Sequence, residues 1–421
     1  MQLPRALAPL RHRRYAALWT GAFASNIGTW MESVAVGVLV TTTTGQAGWA
    51  GLVAAAAFVP NAFLGPLGGA LADRVPRRAL LLGTTAVQAM LAAGLTALAA
   101  FDAAEPWAVT LIVLASGCAG ALGFPAYQSM MPDLVPREDL TGAVALGAAQ
   151  WNLGRVIGPV LAGVVIALGG FEWAFAVNTV SFLAVIAAIA PIRLPAPSLT
   201  AGESIATAIR DGARYARREA GIRAVMTYLA INSLFAAPFI ALIPAVALKV
   251  FDNEDAGTAA LVTAQGVGAV LMALSLGTLS ARWGHRHVLL GLITVLPASL
   301  ILYAVAPTLE LAVVAIGLVG AIYLGCLSSF MTIAQLRAPN ELRGRVMSAI
   351  MVLLGTLYPI GSVLQGAIAD EIGLRATTVG AALILAGAFF AIRVLRPGFD
   401  HALGDQEEAG PPELAPEPAA G

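Results

Sequence analysis

The stretch Gly69-Ala-Leu-Ala-Asp73-Arg74-Val-Pro-Arg77-Arg78 separates the second and third of about twelve long apolar segments in this chain. A weaker copy, Gly277-Thr-Leu279-Ser-Ala281-Arg282, follows 208 residues later. The copy keeps the glycine, the leucine and the arginine, but it has Ala281 where Asp73 would recur. Repeats in the same order, with six apolar segments each, predict two parallel halves related by an axis along the membrane normal.

Composition indicates an integral membrane protein. Of the 421 residues, 58% are hydrophobic and only 11% are charged, whereas soluble domains carry about 25% charged residues. A membrane-spanning helix needs about 20 predominantly apolar residues. The segments of that length are 15–42, 48–73, 78–101, 107–131, 141–169, 172–192, 223–250, 257–281, 287–306, 309–336, 345–370 and 375–396. The sequence therefore predicts an all-α membrane protein with twelve transmembrane helices in two parallel six-helix repeats.

Positive charges divide unequally between the two ends of these segments. The side that holds the N-terminus carries 21 Lys and Arg residues, whereas the opposite side has only Lys249 and Arg375, and Arg155 lies within a segment. Loops rich in Lys and Arg stay in the cytoplasm during insertion. We therefore expect both termini to be cytoplasmic. The first segment is too long for a signal peptide and is expected to remain as a spanning helix.

Residues 193–222 form a polar linker between the halves 1–192 and 223–396. Apolar residues repeat there at helical spacing, opposite a basic face: Ile205, Ile209 and Ala213 against Arg210, Arg214, Arg217 and Arg218. This pattern predicts an amphipathic helix on the inner membrane surface, with a solvated charged linker as the alternative. Residues 397–421 are rich in Pro, Glu and Ala and predict a disordered cytoplasmic tail.

Several motifs together resemble a known transporter family. Besides the loop 69–78, they are Ser25-Asn-Ile-Gly-Thr-Trp-Met31, Phe124-Pro-Ala-Tyr-Gln128, Pro132-Asp-Leu-Val-Pro-Arg-Glu-Asp-Leu140 and Asn152-Leu-Gly-Arg155. They resemble the major facilitator superfamily, and within it the bacterial drug and siderophore exporter branch, the group similar to the enterobactin exporter. The resemblance extends from about Leu10 to Arg396. It implies the major facilitator fold and a location in the bacterial inner membrane.

The resemblance assigns a conformational latch to Gly69, Asp73, Arg74, Arg77 and Arg78. In that family the aspartate and arginines of this loop form a charge cluster that bridges the two halves on the cytoplasmic face. Partly buried charges hold strongly when paired and release when the halves rock apart. The glycine is expected to permit a close approach of helices.

The fifth segment carries Gly154, Gly158, Pro159 and Gly163. This pattern resembles the glycine–proline motif that the family associates with exporters. Gly158-Pro159 is expected to bend the helix, and the glycines are expected to allow tight contact with a neighbouring helix.

Glu32 and Arg155 are the charged residues that lie deep within apolar segments. A charge at mid-bilayer is costly and usually marks a function. At the helical rise per residue, Glu32 lies about 25 Å from the start of its segment and Arg155 about 21 Å from the start of its own. We therefore predict that the two side chains pair. Two interpretations stay open: a permanent ion pair that fixes a helix contact, or a carboxyl group that exchanges a proton or binds a cationic substrate.

The resemblance implies that helices one, four, seven and ten line a central cavity. The candidate substrate contacts are Asn26, Trp30, Tyr127, Gln128, Asn232, Ser328, Ser329 and Gln335. For each of them, a role in helix packing is the alternative. The family's usual arginine in the fourth helix has no counterpart, since no charge occurs between Trp107 and Met131. Its absence gives more weight to Arg155.

These features predict a secondary active transporter that exports a small organic solute, such as a drug, siderophore or other metabolite, by proton antiport with alternating access. No Gly-x-x-x-x-Gly-Lys-Ser/Thr loop occurs, so we expect no nucleotide cofactor and take the proton gradient as the energy source. An importer or facilitator of a nutrient on the same fold is the main alternative, and a membrane-embedded enzyme or lipid scramblase is the second. The expected partners are a small-molecule substrate and the lipid bilayer. We expect a monomer and no metal site. We also expect no nucleic-acid partner, because the formal net charge is +0.

Overall fold

The computed structural model describes residues 5–192, 210, 214–253, 255–339, 342–396 and 398–404. Its long helices, in chain order, are α1 Arg13–Thr44, α2 Ala47–Arg74, α3 Arg77–Ala100, α4 Pro106–Met130, α5 Leu140–Gly169, α6 Phe171–Ile189, α7 Ala220–Phe251, α8 255–283, α9 285–304, α10 Leu309–Arg337, α11 Arg343–Ile372 and α12 Leu374–Leu395. A short α13 follows at Gly398–Ala402. The described residues contain no strand, so the predicted all-α class is confirmed.

In the described part of the chain, eleven helical stretches are long and apolar enough to cross a membrane, and one of them contains two spans. The stretch Ala256–Ala304 has 49 residues, which is about 73 Å of helix, more than two crossings of a hydrocarbon core about 30 Å thick. Gly284 interrupts it with φ 76° and ψ 150°, a conformation that glycine adopts without steric cost. The chain therefore turns back at Gly284, and α8 and α9 are separate spans.

Helix α7 changes its winding in the middle. Asn232–Ala236 forms a π-helical turn, which leaves some main-chain carbonyls without their ordinary helical partner. The side chain of Gln365 on α11 donates to two of these carbonyls, those of Leu234 (3.0 Å) and Phe235 (3.1 Å). Because Gln365 satisfies them from a neighbouring helix, the wide turn is stabilised within the apolar interior.

Each half of the molecule has its own buried core. In the first half, α1 packs against α5 and α6, α2 packs against α4, and α3 packs against α4 and α6. In the second half, a larger apolar cluster joins α7 to α9, α10, α11 and α12, with Tyr228, Leu296 and Phe330 among its fully buried members. The large exposed apolar side chains lie mainly on the outer helices, for example Met90 on α3 and Phe390 on α12, where they face lipid in a membrane protein.

The first described residues of the predicted disordered tail, 398–404, are packed against the second half. Phe399 and Leu403 are buried, with 8% and 2% of their surface exposed. Asp400 accepts a hydrogen bond from the Tyr228 hydroxyl at 2.6 Å and pairs with Arg393 at 3.2 Å. Residues 398–404 therefore pack onto the second half, because an aromatic anchor and a carboxylate follow α12. The rest of the tail lies outside the described residues.

The predicted amphipathic linker helix falls largely outside the described residues, and this includes Ile205, Ile209 and Ala213. Its described end, residues 214–218, is helical. There Glu219 caps the start of α7 and pairs with the buried Arg337 at 2.6 Å. This ion pair fixes the end of the linker to α10.

Candidate functional site

The two halves, α1–α6 and α7–α12, meet along α2 against α11 and α5 against α8. We call the side on which α1 begins the near side, and the side on which α1 ends the far side. Within the described ranges, the side-chain hydrogen bonds and ring contacts that join the halves lie on the far side or at mid-depth. The halves are therefore closed against each other at the far side.

The far-side contact centres on Asp370 at the end of α11. Its carboxylate accepts hydrogen bonds from the backbone amides of Ala47 and Gly48, each at 2.7 Å, in the first turn of α2. Lys249, at the end of α7, lies 3.1 Å from the same carboxylate. The negative charge thus occupies the positive end of a helix dipole that belongs to the opposite half.

Glycines let the backbones of α2 and α11 touch below this cap. A methyl group on Gly51 would collide with the carbonyl oxygen of Ser362, and one on Gly355 would lie 2.8 Å from the Ala62 side chain. At mid-depth the rings of Phe58 and Tyr358 meet edge to face, 5.1 Å apart. The seam is therefore tight from the far side to the middle of the two helices.

The predicted latch residues do not bridge the halves in this structure. Arg77 pairs with Asp133 at 2.9 Å, and Arg78 donates to the main-chain carbonyls of Ile189 and Ala190, so both arginines contact only the first half. Asp73 and Arg74 are exposed, and no ion pair joins Asp73 to another described residue.

Gly69 also differs from the expectation. A side chain added there would meet nothing within 4 Å, so this glycine does not mediate a close helix approach here. The physical reason is the same for the whole loop: the side-chain contacts that its arginines make in the described residues stay within the first half. A latch across the seam needs the halves to close on this side.

At two positions the glycines of α5 allow the predicted tight contact with a neighbouring helix. A methyl group on Gly154 would lie 2.7 Å from the Asn26 amide nitrogen, and one on Gly158 would lie 2.6 Å from Trp30 Cβ. The Asn26 amide donates to the main-chain carbonyl of Gln150 at 2.9 Å. Pro159 is buried, and Gly163 lies farther along the same helix. Helix α1 is thus locked against α5 by backbone-close contacts.

Glu32 lies on the opposite face of α1. It is 9% exposed, and its carboxylate accepts a hydrogen bond of 2.6 Å from the Asn178 amide on α6. The same Asn178 accepts at 2.9 Å from the Ser181 hydroxyl. A side chain at Gly28 would collide with Asn178, so the glycine makes room for this polar cluster. Glu32 therefore belongs to the α1–α6 contact.

The predicted pair of Glu32 and Arg155 is not formed, and this corrects the sequence-based expectation. The guanidinium of Arg155 lies over the ring of Trp30, 5.6 Å from its centroid. Trp30 and Glu32 are two positions apart on α1, so they lie about 160° apart around the helix. Equal depth was estimated from helix rise, but depth alone does not put two side chains on the same face.

Arg155 instead faces the boundary between the halves. A methyl group added to Gly266 of α8 would lie 3.3 Å from the main-chain oxygen of Arg155. Arg155 therefore lies where α5 contacts α8. The phenol groups of Tyr323 on α10 and Tyr358 on α11 are within electrostatic range of its guanidinium. Among the described residues, no carboxylate lies within ion-pair distance of it.

The remaining cavity candidates divide by burial. Tyr127 is half-buried and donates to the Gln150 side chain at 3.2 Å, while Gln128 and Gln335 are exposed and Ser328 is half-buried. Asn232 and Ser329 are 0% and 1% exposed, and their polar side-chain atoms have no hydrogen-bond partner among the described residues. Asn26 and Tyr127 both contact Gln150, and among the described candidates it is Trp30 that contacts Arg155.

Sequence reasoning missed the groups that surround the two intramembrane charges. Asn178 and Ser181 are one helical turn apart on α6, a polar pair in an otherwise apolar helix, and this spacing could have singled them out. Trp151 lies one turn before Arg155 and meets Trp30 edge to face at 5.9 Å. Asp370 lies at the end of the apolar segment 345–370, and nothing in the sequence singles it out.

Comparisons with known proteins agree with this architecture. A family model described as transmembrane secretion effector matches residues 5–417. The chain is 28% identical over 384 residues to the multidrug efflux pump Tap of Mycolicibacterium fortuitum, covering 89% of this chain and 92% of that protein. It is 21% identical to macrolide efflux protein A of Streptococcus pyogenes (86% and 91% covered) and 23% identical to the staphyloferrin A transporter of Staphylococcus aureus (85% and 90% covered).

Solved structures show the same fold at low identity. A bacterial homologue of the human lysosomal transporter Spinster superposes with a TM-score of 0.73 at 14% identity, covering 93% of this chain and 98% of that one. The nucleoside transporter NupG superposes with a TM-score of 0.68 at 16% identity, covering 90% and 99%. The relatives are transporters and not enzymes. With two six-helix halves and a matching family model along nearly its whole length, the chain belongs to the transmembrane secretion effector family of major facilitator superfamily transporters.

Proposed function

We propose that this protein exports a small organic solute from the bacterial cytoplasm by proton antiport, and that it works by alternating access between its two halves. One observation carries the proposal: the halves are closed at the far side by Asp370 and the α2–α11 seam, whereas at the near side no side-chain hydrogen bond, ion pair or ring contact joins the described residues of the two halves. The near side holds 21 of the 24 Lys and Arg residues, which supports a cytoplasmic location for it. A state open to the cytoplasm is the one in which an exporter loads its solute.

The names of the relatives support the direction of transport. Two of them are described as efflux proteins, for several drugs in one case and for macrolides in the other. This chain is 28% and 21% identical to them, and we propose the same direction of transport for it. The individual solute differs among the relatives. We therefore place the protein in the inner membrane with both termini in the cytoplasm, acting as a monomer on a small organic molecule.

Glu32 is the group that we propose to carry the coupled proton. Its carboxyl group is held by the neutral amide of Asn178, and no described cation lies within ion-pair distance. It can therefore take up a proton without the loss of an ion pair, which a permanent pair with Arg155 would not permit. Helix α1 packs on both α5 and α7, so a change at Glu32 is transmitted to a helix that contacts the other half.

Everted membrane vesicles that contain the full chain test the direction and the coupling together. The probes are organic solutes of different charge, among them 2-naphthoate, erythromycin and ethidium, and the lumen is acidified by respiration. We expect at least one probe to accumulate in the lumen, and we expect accumulation to stop when a protonophore collapses the gradient. Equilibration that does not depend on the gradient would indicate a facilitator, and gradient-driven movement out of the lumen would indicate an importer. Movement of a fluorescent lipid between leaflets without solute flux would indicate a scramblase.

A further inference from the structure

The guanidinium of Arg155 is an uncompensated positive charge at the centre of the molecule. It makes no hydrogen bond or ion pair with any described residue, and its side chain is half-buried, with nitrogen atoms that are not sealed from the surface. A half-buried guanidinium without a polar partner in the described residues leaves its N–H donors available to a ligand. Five N–H donors in a planar fork match the two oxygens of a carboxylate or the oxygens of a phosphate.

Aromatic side chains from both halves surround this charge. Trp30 of α1 lies under the guanidinium at 5.6 Å, and Trp151 braces Trp30 at 5.9 Å. Tyr323 and Tyr358 approach from the second half, and Tyr358 is itself held edge to face by Phe58. Flat apolar surfaces around one charged group are typical of sites that bind a small organic ligand.

The charge is costly unless something pairs with it. An arginine at mid-membrane depth raises the free energy of the folded protein, and the ring of Trp30 offsets only part of that cost. The other deep charge, Glu32, is turned toward α6 and does not compensate it. A bound anion supplies the missing partner at the point where the two halves face each other.

We propose that Arg155, with Trp30, Tyr323 and Tyr358, forms the binding site for the acidic group of an aromatic or otherwise planar organic anion. This inference rests on the proposed function and names the class of the solute. The guanidinium binds the carboxylate, the indole of Trp30 packs against the planar part, and the two tyrosines bring the second half into contact with the same molecule. A solute that touches both halves favours the state in which they close around it.

Binding to the purified full chain in nanodiscs tests the site without any gradient. The probes are 2-naphthoate and 2-naphthamide, which have nearly the same shape and differ in charge, and the readout is quenching of tryptophan fluorescence. We expect wild-type protein to bind the carboxylate at least about tenfold more tightly than the amide. Equal affinity for the two compounds, or a preference for the amide, would overturn the proposal, and this comparison needs no variant.

Variants then assign the preference to Arg155. Arg155→Gln should reduce the affinity for 2-naphthoate about tenfold or more and leave that for 2-naphthamide within about twofold. Arg155→Lys should keep part of the preference, because it retains charge but not the fork. Arg137→Gln, an exposed arginine on the near side, is the matched control and should bind as wild type does. A carboxylate preference that survives Arg155→Gln would place the anion site elsewhere.

The outcome is independent of the direction of transport. A protein that imports its solute could still prefer the carboxylate in this assay, and an exporter could fail it. Vesicle flux therefore tests the proposed function, and the nanodisc assay tests the class of solute.

Discussion

The carboxylate of Asp370 on α11 accepts a hydrogen bond of 2.7 Å from the backbone amide of Ala47, so the second half caps a helix of the first. An ordinary helix cap lies next to its helix in sequence, whereas this one is 323 residues away. The cap exists only while the far side is closed. When that side opens, the first backbone amides of α2 and the Asp370 carboxylate must form hydrogen bonds with water instead.

Asp370→Ala should shift the conformational equilibrium toward the state that is open at the far side. Loss of a charged cap at a partly exposed site costs about 1 kcal/mol, which is a shift of about fivefold in the ratio of the two states. Labelling of a single cysteine placed at Ser362, a fully buried position on the seam, should become correspondingly faster than in the Ser362→Cys background.

Glu371→Gln is the matched control for this prediction. The residue is adjacent to Asp370, exposed, and not hydrogen-bonded to α2 in the structure. It removes one negative charge at the same place, so its labelling rate should stay at the background value. If both variants accelerate labelling equally, the effect is one of net charge and the cap has no role as a gate.

Asp73→Asn should leave the fold intact and reduce transport. Asp73 is exposed here, so the substitution removes no contact from this state, and the free energy of unfolding should change by less than about 0.5 kcal/mol. If Asp73 pairs with the second half when the near side closes, the variant lacks that pair and populates the present state more. Transport rates measured per inserted molecule should then fall severalfold.

Asp133→Asn separates the latch from the local structure of the loop. It removes the ion pair with Arg77 inside the first half and carries the same change in charge on the same side. We expect it to loosen the start of α3 without a change in the balance of the two states. Wild-type transport by inserted Asp73→Asn protein would rule out the latch.

Much of the fold follows from the sequence because hydrophobic length and charge placement act over whole segments. The twelve spans and the duplication were readable from apolar runs and from the loop at Asp73. The gap between the segments 257–281 and 287–306 contains Gly284, where the structure has its break, although the helical backbone continues on both sides of it. Long apolar segments leave little choice in a membrane, where backbone groups must be paired internally.

The site was harder to predict, because side-chain partners depend on helix rotation. Glu32 and Arg155 have similar depths, but a rotation of about 160° between Trp30 and Glu32 sends the two charges to different neighbours. The role of Asp370 was invisible for a different reason: a charge at a helix end is ordinarily solvated, and only the packing of α11 on α2 brings it to the amides of Ala47 and Gly48.

The near-side contact at Asp139 should make the stability of this region depend on acid pH. The hydrogen bond from His12 at 2.8 Å, followed by the charge of Arg11, lowers the pKa of the Asp139 carboxyl below its usual value of 3.8. A lowered carboxyl pKa contributes stability that is complete above the unfolded value and is lost as the pH falls through the folded value. The wild-type protein should therefore exceed Asp139→Asn in thermal stability at pH 6, and the difference should shrink below pH 3.8. A difference that is constant from pH 6 to pH 3 would contradict the contact.

Glu32 and Asn178 should be energetically coupled, whereas Glu32 and Arg155 should not. A hydrogen bond of 2.6 Å from a buried amide to a carboxylate corresponds to about 1.5–3 kcal/mol, and a double-mutant cycle of Glu32→Ala with Asn178→Ala should show a coupling of about that size in the free energy of unfolding. The cycle of Glu32→Gln with Arg155→Gln should give less than about 0.5 kcal/mol.

Glu32→Gln keeps an oxygen that accepts from Asn178, so this variant should fold and insert, yet it should lose the dependence of solute flux on the pH gradient. Asn178→Ala leaves the carboxyl group in place without its donor, so its flux should still follow the gradient, with a shifted pH profile. Gradient-driven flux by Glu32→Gln at the wild-type rate would exclude Glu32 as the proton carrier and leave it as a packing group between α1 and α6.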